Sequence, residues 1–183
     1  LRSKGKKVLV GVTGSVAAYK AAELVSSLRK GGFDVRVLMT KAAEKFVGKW
    51  TFFSLSGNPV VTDMFEEIKE FNPLHISLAE WADVMVIAPA TANMIGKLAG
   101  GLADDVVSCT AMAVTAPIVV APAMNERMYK NKVLQANVAK LRELGMEVLE
   151  PEEGWLSCGA RGKGRLPSVA ELVKVVKAKV ASR

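Results

Sequence analysis

Two short apolar runs each stop abruptly at small residues and an asparagine. Val84-Met85-Val86-Ile87-Ala88-Pro89 leads into Ala90-Thr91-Ala92-Asn93, and Pro117-Ile118-Val119-Val120-Ala121-Pro122 leads into Ala123-Met124-Asn125. Runs of this length without polar alternation are strands covered on both faces, which is the signature of a parallel sheet with helices on either side. Val8-Leu9-Val10-Gly11-Val12 and Val35-Arg36-Val37-Leu38-Met39 have the same character. Between the strands the apolar spacing changes to the helical one. Ala18, Ala21, Ala22, Val25 and Leu28 predict a helix from Val16 to Arg29, ended by Gly31-Gly32. Further helices are predicted near Ala42 to Val47, from Ala92 to Ala113 with a break at Gly100-Gly101, from Asn125 to Leu144, and from Ser168 to Ala181, with a short strand at Glu147 to Leu149. Trp50 to Asn72 carries the least regular pattern. Strands alternating with helices predict an α/β fold, a Rossmann-like doubly wound parallel sheet in three α/β/α layers. Residues 1–183 read as one domain, and the Gly-, Pro- and charge-rich segment at about 150–167 as a flexible flap.

Composition narrows the function. Apolar residues make up 50% of the chain and the mean hydropathy is +0.24, which points to a buried subunit contact in addition to a core. No apolar run is long enough for a membrane helix, and the basic N-terminus leads into a strand too short for a signal peptide's apolar region. The net charge is +7, but aromatic residues are only 6% and do not interleave with the basic ones. That argues against a nucleic-acid face and for a field that attracts a phosphorylated small molecule. Two cysteines and one histidine offer no metal-ligand spacing. Reduced thiols and a cytoplasmic location are the expectation.

In open α/β sheets, ligands bind just beyond the carboxyl ends of the strands. Gly14-Ser15-Val16 follows the first strand and opens a helix, where free N–H groups and the positive dipole end suit an anion. An ordinary turn with Ser15 as a cap is the competing reading. The motif lacks the dinucleotide glycine pattern, and Thr40 rather than an acid ends the second strand, so a mononucleotide phosphate suits this place better. Thr91 and Asn93, and likewise Met124 and Asn125, either cap their helices or line a cleft. The Asn125 amide could hold a carboxylate or an amide. His75 is the one histidine of the chain, and so its one side chain of the type that serves as a base at neutral pH. Cys158 sits among glycines with Arg161, Lys163 and Arg165 nearby, which would favour a thiolate or a tuned acid; Cys109 reads as a small core residue.

Taken together, these residues resemble the flavin-dependent cysteine decarboxylases. The resemblance runs from Lys7 to about Val180. It is carried by Gly14-Ser15-Val16-Ala17-Ala18-Tyr19-Lys20, His75 with Trp81-Ala82-Asp83, Pro89-Ala90-Thr91-Ala92-Asn93, Pro122-Ala123-Met124-Asn125, and Cys158-Gly159 with Gly164-Arg165. It implies bound FMN, with Gly14, Ser15, Val16 and Thr40 near the phosphate and ribityl chain. Thr91, Ala92, Asn93, Met94 and Ala123 would lie along the rest of the flavin. It also implies a homo-oligomer, a trimer or a dodecamer built from trimers, with FMN at a subunit contact.

The implied reaction takes CO2 from the cysteine carboxylate of phosphopantothenoylcysteine to give phosphopantetheine, through thiol oxidation, CO2 loss and enethiol reduction. His75 would be the base, Asn125 and Met124 would hold substrate, Arg161 would be a candidate for its phosphate, and Cys158 would return a proton from the flap. A ligase domain often follows in the coenzyme A members. Peptidyl-cysteine decarboxylases would not need Cys158, flavin prenyltransferases would lack the pairing of His75 with Asn125, and a regulatory binding subunit would need none of the three.

Overall fold

The computed structural model describes residues 5–65, 73–157, 159 and 161–181. Six strands form one parallel sheet: β1 (Lys7–Val12), β2 (Asp34–Met39), β3 (Val60–Val61), β4 (Val84–Ala90), β5 (Ile118–Pro122) and β6 (Glu147–Val148), in the order β3-β2-β1-β4-β5-β6. Each neighbouring pair is parallel. The chain winds outward from β1 in one direction, then returns to place β4 on the other side of β1. The sheet therefore has its switch point between β1 and β4, where such folds open a crevice.

The strands divide their side chains by parity, as a pleated strand must. Val8, Val10, Val12, Val84, Val86, Ala88, Val119 and Ala121 join one buried cluster, which includes Leu24, Val25, Leu28, Phe52, Leu172 and Val176. Leu9, Met85, Ile87, Ile118 and Val120 join the other, with Leu78, Met94, Ile95, Val107, Val138 and Leu141. Helices α1 (Ala18–Lys30), α2 (Lys49–Ser56) and α8 (Val169–Ala181) thus cover one face. Helices α3 (Leu74–Trp81), α4 (Ala92–Gly100), α5 (Val106–Ala113) and α7 (Lys132–Glu143) cover the other. Every residue of β4 is buried, which is why its sequence shows no alternation.

Local chemistry moves several boundaries. α1 begins at Ala18, two residues later than its periodicity predicts. Val16 and Ala17 belong instead to a tight turn, closed by the Ala18 N–H donating to the Ser15 carbonyl at 2.9 Å. The stretch from Asn125 to Leu144 is not one helix. A short α6 (Glu126–Tyr129) stops, and the Asn131 side chain caps α7 by accepting from the Val133 N–H at 2.9 Å. Most of α2 and the edge strand β3 come from the region without a clear pattern, and α3 follows it.

Segment 150–167, the predicted flap, contains an antiparallel hairpin, β7 (Glu152–Trp155) with β8 (Arg161–Arg165). Its charges are sorted by strand: Glu152 stands opposite Arg165 and Glu153 opposite Lys163, the pairing that stabilises two-stranded ribbons.

Candidate functional site

A cleft of about 580 Å³ opens at the carboxyl ends of β1, β4 and β5. The turn after β1 contributes Gly14, Ser15 and Val16, and the first turn of α1 adds Tyr19 and Lys20. Thr91 and Ala92 enter from the end of β4, and Ala123, Met124 and Asn125 from the end of β5, with Met128 beside them on α6. The hairpin forms the remaining wall with Trp155, Leu156, Ser157, Gly164 and Arg165.

The two halves of this floor are joined by one buried hydroxyl. Thr13 is 1% exposed. Its Oγ1 donates to the Pro89 carbonyl at 2.7 Å and accepts from the Thr91 N–H at 3.0 Å, across a register shift in which the Ala88–Pro89 peptide is cis. Replacing Thr13 by valine keeps the shape but leaves both backbone groups without a partner. The expected loss is about 3 kcal/mol of stability, read from urea denaturation.

The asparagine and threonine side chains satisfy both of their sequence readings at once. Thr91 caps α4 by accepting from the Met94 N–H at 3.3 Å, and Asn125 Oδ1 caps α6 by accepting from the Arg127 N–H at 2.8 Å. Ser15 Oγ accepts from the Ala17 N–H at 3.3 Å. All three still line the cleft. Among the described residues, no side chain caps α1 itself, and the Gly14 and Val16 N–H groups find no acceptor. This thirteen-residue helix therefore points an unneutralised amino end into the cleft. Of the described lining residues, Lys20 and Arg165 are cationic and none is acidic. Such a site suits a ligand with a phosphate, and the uncapped turn fits the phosphate end of a mononucleotide cofactor.

The other sequence-predicted residues lie elsewhere. Thr40 follows β2, where its Oγ1 accepts from the Ala43 N–H at 3.2 Å, and does not line the cleft. Asn93 is exposed on α4, and Met94 is 1% exposed and part of the core. His75 is half-buried in the first turn of α3 and is not part of the cleft wall. Arg161 is exposed and lies 3.5 Å from Glu153. Cys158 falls outside the described residues. Burial, followed by the nearby Asp105 charge, pushes the Cys109 thiol upward, in keeping with a structural role.

Sequence reasoning missed Met128, Trp155 and the means by which the hairpin is seated. Gly162 and Gly164 are not there for loop freedom. A Cβ on Gly164 would collide with the Met124 carbonyl oxygen, and one on Gly162 would sit 2.7 Å from the Glu126 carboxyl carbon. The close approach permits a 3.0 Å bond from the Met124 N–H to the Gly164 carbonyl. A run of alternating glycines opposite an acidic strand was the available signal.

At the hairpin's foot, hydrogen bonds from Lys163 and then Arg142, with Tyr129 adding to them, hold the Glu150 carboxyl down to about 2. Its folded value is depressed, so its contribution is complete above the ordinary 4.5 and fades as pH falls toward about 2. Carboxyl NMR is expected to find Glu150 still ionised at pH 4.

Comparison with known proteins agrees with this geometry. Residues 2–181 match the family model described as Flavoprotein. The chain is 46% identical over 170 residues to the coenzyme A biosynthesis bifunctional protein CoaBC of Bacillus subtilis (strain 168), covering 93% of this chain and 42% of that protein. The chain thus spans about two fifths of the length of that relative. A solved PPC decarboxylase mutant complexed with pantothenoylaminoethenethiol superimposes with a TM-score of 0.86 at 34% identity, covering 95% of this chain and 97% of its own. The FMN-dependent cysteine decarboxylase SpaF gives 0.85 at 34% identity, with 97% and 98% covered.

Proposed function

Since the chain belongs to the Flavoprotein family, we propose that it is an FMN-dependent carboxy-lyase that converts phosphopantothenoylcysteine to phosphopantetheine in coenzyme A biosynthesis. One observation carries the reading: the uncapped start of α1, the Lys20 and Arg165 cations and the Asn125 exit of β5 meet in a single cleft at the sheet's switch point. Gly14, Ser15 and Val16 would hold the cofactor phosphate, with Thr40 behind them. Thr91, Ala92 and Ala123 would contact the remainder, with Asn93 and Met94 on the same helix turn. When bound, FMN would supply the two-electron chemistry on both sides of CO2 loss, the oxidation that lets the thiol-bearing carbon take up the departing charge and the reduction that completes phosphopantetheine.

The protein's residues provide placement and protons. Asn125 and Met124 hold the substrate's cysteine end, the Asn125 amide offering both donor and acceptor. His75 accepts a proton in the oxidative half. Cys158 returns one to the enethiol, and the hairpin shields that step from water. Arg161, at the hairpin's outer side, is the flap residue assigned to the substrate phosphate.

We further propose a trimer, alone or as one of the trimers that make up a dodecamer. Val16, Tyr19, Met128 and Trp155 rim the cleft and are all 49% or more exposed, an apolar edge that suits burial against another copy. His75, outside this chain's cleft, would reach a neighbour's. No helix among the described residues is long and apolar enough to cross a membrane, and we assign the enzyme to the cytoplasm. A ligase domain following residue 183 would supply the substrate by joining cysteine to phosphopantothenate.

The test is a mass-resolved assay with phosphopantothenoylcysteine alongside the visible spectrum. Flavin absorbance, CO2 and phosphopantetheine are expected. Cys158→Ser is expected to release CO2 yet accumulate the enethiol. Full phosphopantetheine yield from that variant would remove Cys158 from the mechanism.

A further inference from the structure

The hairpin wall and the α6 floor of the cleft meet at a cluster that the proposed chemistry does not use. Glu150 Oε2 accepts from the Tyr129 hydroxyl at 3.0 Å and from Lys163 Nζ at 2.6 Å, and Oε1 accepts from Arg142 Nη2 at 2.7 Å. Each group comes from a different element: Lys163 from β8, Tyr129 from α6, Arg142 from α7, and Glu150 from the link between β6 and β7. The attachment is doubled from the backbone, since the Lys163 N–H donates to Glu126 Oε1 at 3.2 Å. Glu126 follows Asn125 directly. Tyr129 is 5% exposed and its ring lies under Lys163 Nζ at 5.8 Å.

Glu150 is 53% exposed, and an isolated pair at that exposure does little. Here three donors converge on one carboxylate, so losing it removes a tie shared by all three elements and leaves the hairpin held by its backbone bonds alone. β8 carries Gly164 and Arg165 into the cleft, and α6 carries Met128 there from its Asn125 cap. The separation of these two walls is thus set in part outside the cleft, beside the bond between Met124 and Gly164 within it.

We propose that Glu150 is a positioning residue for this site: with Tyr129 and Lys163 it fixes the β7–β8 wall against the α6 floor and so sets the cleft's width. The inference rests on the reading of the cleft as the ligand site. Glu150 does not line the cleft, and its effect passes through the hairpin.

The experiment uses the flavin-loaded protein with Glu150→Gln and, as a milder change, Tyr129→Phe. Limited trypsin digestion is followed by mass at Arg161, Lys163 and Arg165, together with Tm, KM and kcat for phosphopantothenoylcysteine. In Glu150→Gln, cleavage at those three sites is expected to rise about fivefold, with other tryptic sites unchanged and Tm lowered by no more than about 3 °C. KM should rise by about the same factor while kcat stays within about twofold. Tyr129→Phe should move both in the same direction by less. Unchanged hairpin cleavage would overturn the proposal. So would equal acceleration at every site with a lowered Tm, or a fall in kcat at constant KM. Absence of turnover in the wild-type protein would defeat the functional reading instead, and the cleavage pattern alone would then decide the role of Glu150.

Discussion

Co-expressing a His75→Asn chain with an Asn125→Ala chain is expected to restore about one quarter of the wild-type CO2 release at equal mixing, although neither chain is active alone. The argument begins with placement. Asn125 lines the cleft from the end of β5, whereas His75 occupies the first turn of α3 and takes no part in the cleft wall. If both serve one substrate, they meet across two copies. A mixed ring then contains some sites that draw an intact His75 from one copy and an intact Asn125 from the next. Random assembly fills about a quarter of sites this way. Each homogeneous variant should keep its flavin and its size in solution, so that loss of turnover is not loss of assembly. No recovery in verified mixed oligomers would place both residues in one chain's site, or remove one from the chemistry.

Gly164→Ala should unseat the hairpin, lowering kcat/KM for phosphopantothenoylcysteine by about a hundredfold while flavin stays bound. An added Cβ would occupy the place of the Met124 carbonyl oxygen and lie 3.4 Å from the Glu126 N–H nitrogen. Both obstacles are backbone, just beyond the end of a strand that is buried throughout, so neither can turn aside. Overpacking of this kind costs about 1–3 kcal/mol, and the 3.0 Å bond between Met124 and Gly164 goes with it. Gly154→Ala is the contrast. Its Cβ would meet only atoms of the Arg165 side chain, which can swing away, and most activity should survive. Equal effects from the two substitutions would show that the hairpin's seat does not depend on the glycine at 164.

How much of this could be read from residues alone depended on whether the signal was local. β4 and β5 were legible because strands covered on both faces have no polar alternation, and the carboxyl ends of such strands mark the ligand edge of an open α/β sheet. Gly14, Ser15, Val16, Thr91 and Asn125 followed from that rule. Met94 did not: a residue at a strand exit points to the cleft or into the core according to the helix turn it occupies, and Met94 packs with Ile95 in the core, 1% exposed. The hairpin was hidden because its strands are polar and glycine-rich, so apolar periodicity is silent there. Its pairing is written in opposed charges and missing Cβ atoms. The knot around Glu150 includes a bond between residues 21 positions apart, and no local pattern announces it.

The strand order also has a bearing on how the enzyme is made. Thr13 and its partners Pro89 and Thr91 are separated by 76 and 78 residues, and the hairpin closes the cleft from residues later still. A chain emerging from the ribosome can pair β1 with β2 early, but it has no floor for a ligand until β4 and β5 have followed, and no wall until Arg165 is out. Cofactor capture is therefore among the last events in the folding of this domain and cannot guide the first ones. Chains stalled before residue 118 should take up no flavin however much is supplied, and the supply of flavin should govern how many finished chains persist rather than how many begin to fold.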